Sequence, residues 1–400
     1  MPDVNFKWIR PNISLANYDK GSKHLVTLRN SGDLVVDYKK YADCFFGGAE
    51  RIIHYLAEDA AAKYDIAKLD LWYFSMIYLY RQSLELLLKA AIFKYMSKKE
   101  DRLLTIGDIR HDLKHGLDVL LSIVPETVIS DDESLIWLSQ YFEDISRVDK
   151  ESDMFRYPFG SSLQKLFEKQ THISLVATHE NMNAAYAVLK EILEDGVSTG
   201  EHIATYEPKL FVEGGYYCQQ SVVGPGYTYG VFHPYFTSYE EVGKFFEELI
   251  LKENCTEMFL PMCYTFRNAV ELGLKMIILE DSHISHDKAL QILKRKKHSL
   301  LGLWNSIESE IDKYSNAPEG DTTLADAKKY IDTLHDFDCV SDIFRYPTNK
   351  KLETYFSPPQ TFDMGNVAQC FHELCNFLDA VSSMLSVVRE NEAEMRAYYA

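Results

Sequence analysis

One stretch of this sequence occurs twice, and the repeat constrains the fold more than any other feature. Each copy carries an Arg-x-x-x-Glu-x-x-x-Lys run, then a histidine, then a Phe-Arg-Tyr-Pro segment. The first copy has Arg81, Glu85, Lys89, His111 and Arg156, and the second has Arg267, Glu271, Lys275, His298 and Arg345. The copies are offset by 186 residues at the first arginine, 187 at the histidine and 189 at the last arginine. This agreement indicates duplication of a unit of roughly 200 residues, the size of a domain rather than of a solenoid repeat.

The duplication predicts two domains of mainly α fold. We expect the first at 1–198, with a β segment at 1–38 and a helical bundle at 41–195. The second would span 199–400, with a β segment at 200–235 and a bundle at 238–392. β-favouring runs alternate with turn residues in both β segments, so a short hairpin is expected before each bundle. Because no long flexible linker separates the repeats, we expect them to pair about a pseudo-two-fold axis, with homodimerisation as a further option.

The most apolar runs predict a central helix in each domain, at 70–97 and 256–280. Apolar residues occur nearly all round the first of these, which is typical of a buried helix. Arg81, Glu85 and Lys89 lie one turn apart on one face of it. A buried ion costs several kcal/mol unless it is paired, so Glu85 needs a partner, and Arg156 is the predicted one. The resulting network either only pins the Phe-Arg-Tyr-Pro turn to the helix or also forms a ligand cleft.

His111 and His298 each precede a predicted helix. Each is either a local cap or core-edge residue, or part of an anion site, since helix N-termini favour anions. Basic residues surround both: Lys98, Lys99, Arg102, Arg110, Lys114 and His115 in the first copy, and Lys294, Arg295, Lys296 and Lys297 in the second. Ordinary solvated loop charge is the alternative. Arg110 and His115 also have the Arg-x4-His spacing of a nuclease pair, which the second copy lacks.

Composition and missing motifs exclude several classes of protein. The net charge of −18 is unlike that of a generic nucleic-acid coating protein. The seven cysteines form no CxxC pair, which argues against a disulfide framework or a zinc site. No phosphate loop, GxSxG, HExxH or GxGxxG signature occurs, so no metal or cofactor is expected. The N-terminus does not resemble a signal peptide and the apolar runs are too short to span a bilayer, so the sequence predicts a cytoplasmic protein without a membrane partner.

The order of motifs resembles the HEPN family, the higher eukaryotes and prokaryotes nucleotide-binding domains. The shared features are Glu-x-x-x-Lys on an apolar helix, a His-Asp/Ser-Leu helix start and Arg-Tyr-Pro before the last helix. The resemblance covers most of 41–195 and 239–390. It implies bundles of about five helices that pair two-fold, and links to RNA or nucleotides, often in phage defence. The chain departs from the family's ribonucleases, whose Arg-x4–6-His motif opens the last helix, because the next histidines after Arg156 and Arg345 are His172 and His372.

Two functions follow from these observations. The first is binding or cleavage of RNA or nucleotides in defence or stress response, with any cleavage being metal-independent transesterification. The candidate catalytic residues are His111, His298, Arg81, Arg267, Glu85 and Glu271, and the candidate phosphate-binding residues are Arg156, Arg345, Lys89, Lys275, Arg110 and Lys296. The alternative is a non-catalytic interaction or scaffold protein whose Arg-Glu-Arg motifs are structural. Exposure of Arg81, His111 and Arg156 in a cleft would favour the first, and their burial the second.

Overall fold

The computed structural model of the chain describes residues 7–125, 133–160, 167, 169–194, 202, 204–224 and 230–399. Within them the chain is mainly helical, as the sequence predicts, with two small antiparallel sheets. The elements in chain order are β1 (Leu25–Leu28), α1 (Leu34–Tyr55), α2 (Ile66–Tyr95), α3 (Lys99–Ile109), α4 (Leu113–Ile123), α5 (Glu133–Asp149), β2 (Thr171–Ser174), α6 (Leu175–Glu194), β3 (Gln220–Val223), α7 (His233–Glu253), α8 (Phe259–Met276), α9 (His286–Lys296), α10 (Leu300–Trp304), α11 (Glu308–Tyr314), α12 (Thr323–Phe337), β4 (Gln360–Asp363) and α13 (Met364–Tyr399).

The chain forms two compact units, and neither is a continuous half of it. The N-bundle comprises the described residues of Arg29–Gly226 together with Arg345–Gln360. The C-bundle comprises those of Met1–Leu28, Tyr227–Phe344 and Thr361–Ala400. The Arg-Tyr-Pro segment of the second repeat therefore belongs to the unit built mainly from the first repeat.

Helix α2 is the core of the N-bundle. Its residues from Trp72 to Phe93 are all buried, and α1 lies along it. Tyr38 of α1 meets Phe93 of α2 edge to face, with ring centroids 5.0 Å apart. A helix with no solvent-facing side must be stabilised by burial on every face, so any charge on α2 has to be neutralised inside the bundle.

Helix α8 has the same role in the C-bundle, and every one of its residues is buried. Phe266 stacks on Phe371 of α13 with ring centroids 5.6 Å apart. Helix α7 crosses α8 at Gly243, where an added Cβ would lie 2.7 Å from the Phe266 ring. The glycine thus allows the two helices to approach closely.

The hairpin predicted at 1–38 is wrong. Residues 34–38 begin α1 rather than a strand, because Asp33 caps the helix by accepting from the Val35 amide at 2.8 Å. A good cap outweighs the weak local β preference of Leu34–Val36. The remaining strand, β1, pairs with β4 and not with a neighbour in sequence.

The hairpin predicted at 200–235 is also wrong within the described residues. Strand β3 pairs antiparallel with β2, from Thr171 opposite Val223 to Ser174 opposite Gln220. Asp70 of α2 accepts from the Val222 amide at 2.7 Å and so fastens this sheet to the core helix. Long-range pairing of this kind has no signature in the local sequence.

Helix α3 contains part of the basic cluster that precedes His111. Its first turn carries Glu100 and Asp101, which complement the helix dipole. Arg102 donates to the carbonyl oxygens of Phe93 and Met96, so part of the predicted basic cluster is used to join α3 to α2. No helix in the described part of the chain is long and apolar enough to cross a membrane.

Candidate functional site

A buried ionic network centres on Glu85 in the N-bundle. Arg81, Glu85 and Lys89 lie on consecutive turns of α2, as predicted, and are respectively 0%, 2% and 4% exposed. Arg81 Nη1 donates to Glu85 Oε2 at 3.2 Å, and Lys89 Nζ donates to Oε1 at 2.6 Å. One carboxylate thus lies between two cations on its own helix.

His111 joins this network from the turn between α3 and α4. Its Nδ1 lies 3.1 Å from Glu85 Oε2, while Arg81 Nη2 donates to its backbone carbonyl at 2.6 Å. The side chain remains 33% exposed, unlike the other members of the network. Asp112 then caps α4 by accepting from the His115 amide at 3.1 Å.

The turn that presents His111 has an unusual backbone. The Asp112 amide donates to the Ile109 carbonyl at 2.9 Å, which closes a four-residue turn with Arg110 in its second position. Arg110 has φ 48° and ψ −103°, a conformation that glycine usually supplies. Strain of this kind persists only where surrounding contacts impose it, and here the bond from Arg81 to the His111 carbonyl is one such contact.

Asp149, at the end of α5, is a member that the sequence did not single out. Its carboxylate pairs with Arg81 Nε at 3.2 Å and accepts from the amides of Asp153 and Met154. The aspartate occurs in both repeats, as Asp149 and Asp338. Alignment of the two copies could therefore have identified it as a candidate member of the network. It connects α5 to the start of the Phe-Arg-Tyr-Pro turn.

The prediction that Arg156 pairs with Glu85 is wrong. Arg156 instead donates to the Tyr157 hydroxyl at 2.9 Å, and its guanidinium lies 5.6 Å from the ring centre of Tyr78. The turn residue that reaches Glu85 is Tyr346 of the second repeat, whose hydroxyl donates to Oε1 at 2.8 Å. This contact depends on segment 345–360 being part of the N-bundle.

Arg345 of this segment and Lys89 of α2 are also buried here. Arg345 donates to the Tyr78 hydroxyl at 3.2 Å and is 5% exposed. Lys89 Nζ lies 5.0 Å from the centre of the Tyr346 ring. Neither side chain is open to a phosphate group from solvent.

The C-bundle contains a matching network around Glu271. Arg267 Nη1 and Lys275 Nζ donate to its two carboxylate oxygens at 2.8 and 2.7 Å. His298 Nδ1 lies 2.9 Å from Oε1, and Arg267 Nη2 donates to the His298 carbonyl at 2.7 Å. Asp338 pairs with Arg267 Nε at 3.4 Å. The contacts of Arg81 with the Glu85 carboxylate, the His111 carbonyl and the Asp149 carboxylate therefore each have a counterpart.

The surrounding charges lower the pKa of both central carboxyl groups. Burial raises the pKa of the Glu85 carboxyl, but the charges of Lys89, His111 and Arg81 outweigh burial and hold that pKa well below its usual value. Glu271 has its pKa lowered well below the usual value in the same way, by Lys275, His298 and Arg267 against burial. Ionised and multiply bonded carboxylates of this kind stabilise a fold while their partners remain in place.

A cleft of about 380 Å³ opens beside His111. It is lined by Gly107, Asp108, Ile109, Arg110, His111, Asp112, His115, Lys150 and Glu151. Lys150 pairs with Asp112 at 3.2 Å, and His115 Nε2 lies 2.7 Å from Asp108. Acidic and basic groups therefore compensate one another, and the cleft is not a strongly positive pocket.

The structure divides the predicted site residues into two groups. Eight belong to or adjoin the buried networks: Arg81, Glu85, Lys89, Arg156, Arg267, Glu271, Lys275 and Arg345. Four have surface exposure: His111, His298, Arg110 and Lys296. Among the predicted site residues, only the two histidines and the basic residues in the turns before them are therefore accessible to solvent.

The two histidines, His111 and His298, determine which proton transfers these networks could perform. A ring whose Nδ1 faces a fixed carboxylate is held in one orientation, and its second nitrogen is then able to accept a proton.

No protein-family model, curated protein or solved structure matches this chain at a significant level.

Proposed function

We propose that this chain is a HEPN-like, non-catalytic interaction protein whose Arg–Glu–His networks are structural. The observation that carries the proposal is the burial of four arginines among the predicted catalytic and phosphate-binding residues. Arg81 and Arg267 are 0% and 1% exposed, and Arg156 and Arg345 are 4% and 5% exposed. These side chains are already bonded to buried carboxylates, carbonyls or tyrosine hydroxyls. They could neutralise a substrate phosphate only if those buried contacts were broken.

The HEPN-like part of the proposal rests on the repeated arrangement of the motifs. In each bundle, Glu-x-x-x-Lys lies on the core helix, and the histidine directly precedes the N-cap residue of a later helix, α4 or α10. The contacts of the glutamate with the arginine, lysine and histidine recur in both networks, which supports an origin by internal duplication. The setting proposed with it is the family's frequent one, bacterial defence or stress response.

Cleavage of single-stranded RNA by the purified protein tests the non-catalytic role. The parent should be compared with a His111→Ala/His298→Ala variant, and with His286→Ala as a control at an exposed histidine. We expect no cleavage by any of the three. RNA cleavage by the parent and by His286→Ala, but not by a double variant of matched Tm, would show that the protein is a nuclease.

A second candidate, metal-independent ribonuclease activity, is favoured by one observation in the N-bundle. Two imidazoles, His111 and His115, line the same cleft, and each has a ring nitrogen held by a carboxylate. In such a reaction one imidazole would take the 2′-hydroxyl proton and the other would give a proton to the leaving 5′-oxygen. This candidate predicts that His115→Ala alone abolishes cleavage, although His115 has no counterpart in the C-bundle.

A further inference from the structure

A segment of the C-bundle lies against one face of its last helix. We define the strap as residues 7–17, which contain no helix or strand and precede β1. The strap contacts α13 at positions spaced by three or four residues, which share one helix face. These positions are Asn366, Cys370, Glu373 and Asn376. We call this face, together with Tyr330 of α12 and Glu247 of α7, the strap groove.

Two asparagines of the groove bind the main chain of the strap. Asn376 Nδ2 donates to the Lys7 carbonyl at 2.8 Å. Asn366 Nδ2 donates to the carbonyls of Ser14 and Asn17, both at 2.9 Å. Every peptide has main-chain oxygens, so these bonds hold a segment of this backbone shape whatever its side chains are.

The middle of the groove is a pocket for an arginine side chain. Glu373 is only 1% exposed, and Arg10 Nε pairs with its Oε1 at 2.6 Å. Tyr330 and Gln369 donate to the two oxygens of the same carboxylate at 2.9 Å, and Arg10 Nη2 lies 3.6 Å from Cys370 Sγ. A buried carboxylate is costly unless a cation pairs with it. The pocket therefore selects arginine at this position of a bound segment.

A second carboxylate selects a cation three residues earlier. Glu247 is buried, Lys7 Nζ pairs with its Oε1, and His372 Nδ1 lies 3.2 Å from its Oε2. Burial raises the pKa of the Glu247 carboxyl, but the bonds from His372 and Lys7 outweigh burial and lower that pKa. Between the two cations, the ring of Trp8 lies 5.7 Å from that of Phe377. The groove thus accommodates a cation, then an aromatic residue, then an arginine two positions later.

The strap has few buried contacts of its own. Within it only Ile9 and Leu15 are buried. It is followed by residues 18–23, which we call the hinge and of which five of six are exposed. Strand β1 comes next and is anchored by β4. Segments with few buried apolar contacts open more readily than the core, so the strap can leave the groove while β1 stays paired.

We propose that the strap groove is a binding site for an extended basic segment of a partner protein, with the pattern Lys-aromatic-aliphatic-Arg. The strap, which carries Lys-Trp-Ile-Arg at residues 7–10, occupies the site until such a segment displaces it. This inference rests on the proposed function, because it names the class of partner that a non-catalytic interaction protein would hold. The net charge of −18 also favours encounter with a basic partner.

The test is fluorescence anisotropy on the full chain, with a labelled peptide that has the sequence of residues 7–17. The strap variant, Lys7→Ala/Ile9→Ala/Arg10→Ala, weakens the strap and leaves α13 unchanged. Its control is Lys20→Ala/Lys23→Ala, which removes the same charge from exposed lysines of the hinge.

Two further changes test the arginine pocket itself. The groove variant adds Glu373→Gln to the strap variant, which removes the charge that holds the guanidinium. The control peptide carries Arg10→Glu and is otherwise the same as the labelled one.

We expect the strap variant to bind the peptide at least about tenfold more tightly than the parent and the hinge control, in which the tethered strap competes at high effective concentration. The groove variant and the control peptide should each weaken this binding by at least about tenfold, because each breaks a buried charge pair. The peptide should also raise the Tm of the strap variant, since a ligand of the folded state stabilises it.

Absence of binding by a strap variant that melts cooperatively would overturn the inference. Equal binding of the control peptide, or no effect of Glu373→Gln, would do the same. If the strap variant does not fold, Arg10→Ala alone replaces it, and an affinity equal to that of the parent is then the contrary result. A parent dimer that Arg10→Ala abolishes, measured by light scattering, would assign the groove to the strap of a second copy instead of another protein. Cleavage of RNA by the parent would contradict only the non-catalytic role and would leave the peptide result standing.

Discussion

Glu85 and Glu271 are the residues on which each network depends. Each accepts from cations on its own helix and faces a histidine from the next turn. Replacing either by alanine leaves buried cations without their carboxylate, so we expect Glu85→Ala and Glu271→Ala each to lower the free energy of unfolding by about 3–5 kcal/mol. Chemical denaturation measures this directly. Glu143→Ala, at an exposed glutamate of α5, should change the stability by less than about 0.5 kcal/mol, and equal effects of all three would refute the prediction.

Acid should weaken the networks in a defined direction. The pKa of Glu85 is lower in the folded chain than in the unfolded chain, where it is close to 4.5. The unfolded state therefore binds more protons as the pH falls below about 4.5, so this contribution to stability is present above that pH and is lost below it. Glu85→Gln should flatten the fall in Tm between about pH 5 and pH 3. An unchanged acid profile would show that Glu85 is not ionised in the fold.

Sequence spacing was sufficient to identify the α2 members of the network but not their partners. Helical periodicity put Arg81, Glu85 and Lys89 on one buried face. Asp149 was missed as a partner because pairing across 68 residues follows from packing of α5, not from local pattern. Tyr346 was missed because it lies 261 residues from Glu85 in the chain.

At the scale of the element, the turns before His111 and His298 carry the most distinctive backbone. Arg110 and Lys297 both have φ near 50° with a negative ψ. Glycine adopts this conformation without steric cost. We therefore expect Lys297→Gly to raise the free energy of unfolding by about 1 kcal/mol.

A matched variant separates this backbone effect from the loss of charge. Lys294→Gly removes the same charge within helix α9, where glycine costs about 1 kcal/mol relative to a good helix former. The two substitutions should thus change the Tm in opposite directions. A lower Tm for both would show that Lys297 is not strained.

Element type was predictable where the helical period was long and strong. The core helices expected at 70–97 and 256–280 appear as α2 and α8, the latter continued by a short π-helical turn, Ile277–Asp281. The hairpins were not predictable from local sequence. The β-favouring residues near Val35 lie in helix α1, whose N-terminus is capped by Asp33. Short strands take their pairing from distant partners, as β1 does from β4.

At the scale of the whole molecule, each bundle is completed by a segment from elsewhere in the chain. Segment 345–360 belongs to the N-bundle and supplies Tyr346, Thr348 and Phe356, which bond to Glu85, Tyr38 and Asn30. The C-bundle takes in the N-terminal residues, where Lys7 pairs with Glu247 and Arg10 with Glu373. The sequence repeat predicts continuous units at 1–198 and 199–400, whereas each compact unit of the structure is assembled from separated segments.

The central claim is that the repeated charged motifs maintain the fold and do not catalyse a reaction. RNA cleavage by the purified chain, beside His111→Ala/His298→Ala with a matched Tm, tests it most directly. The account predicts no cleavage by the parent or the variant. Cleavage by the parent that is lost in the equally stable variant would contradict it and would make the Glu85–His111 and Glu271–His298 pairs catalytic.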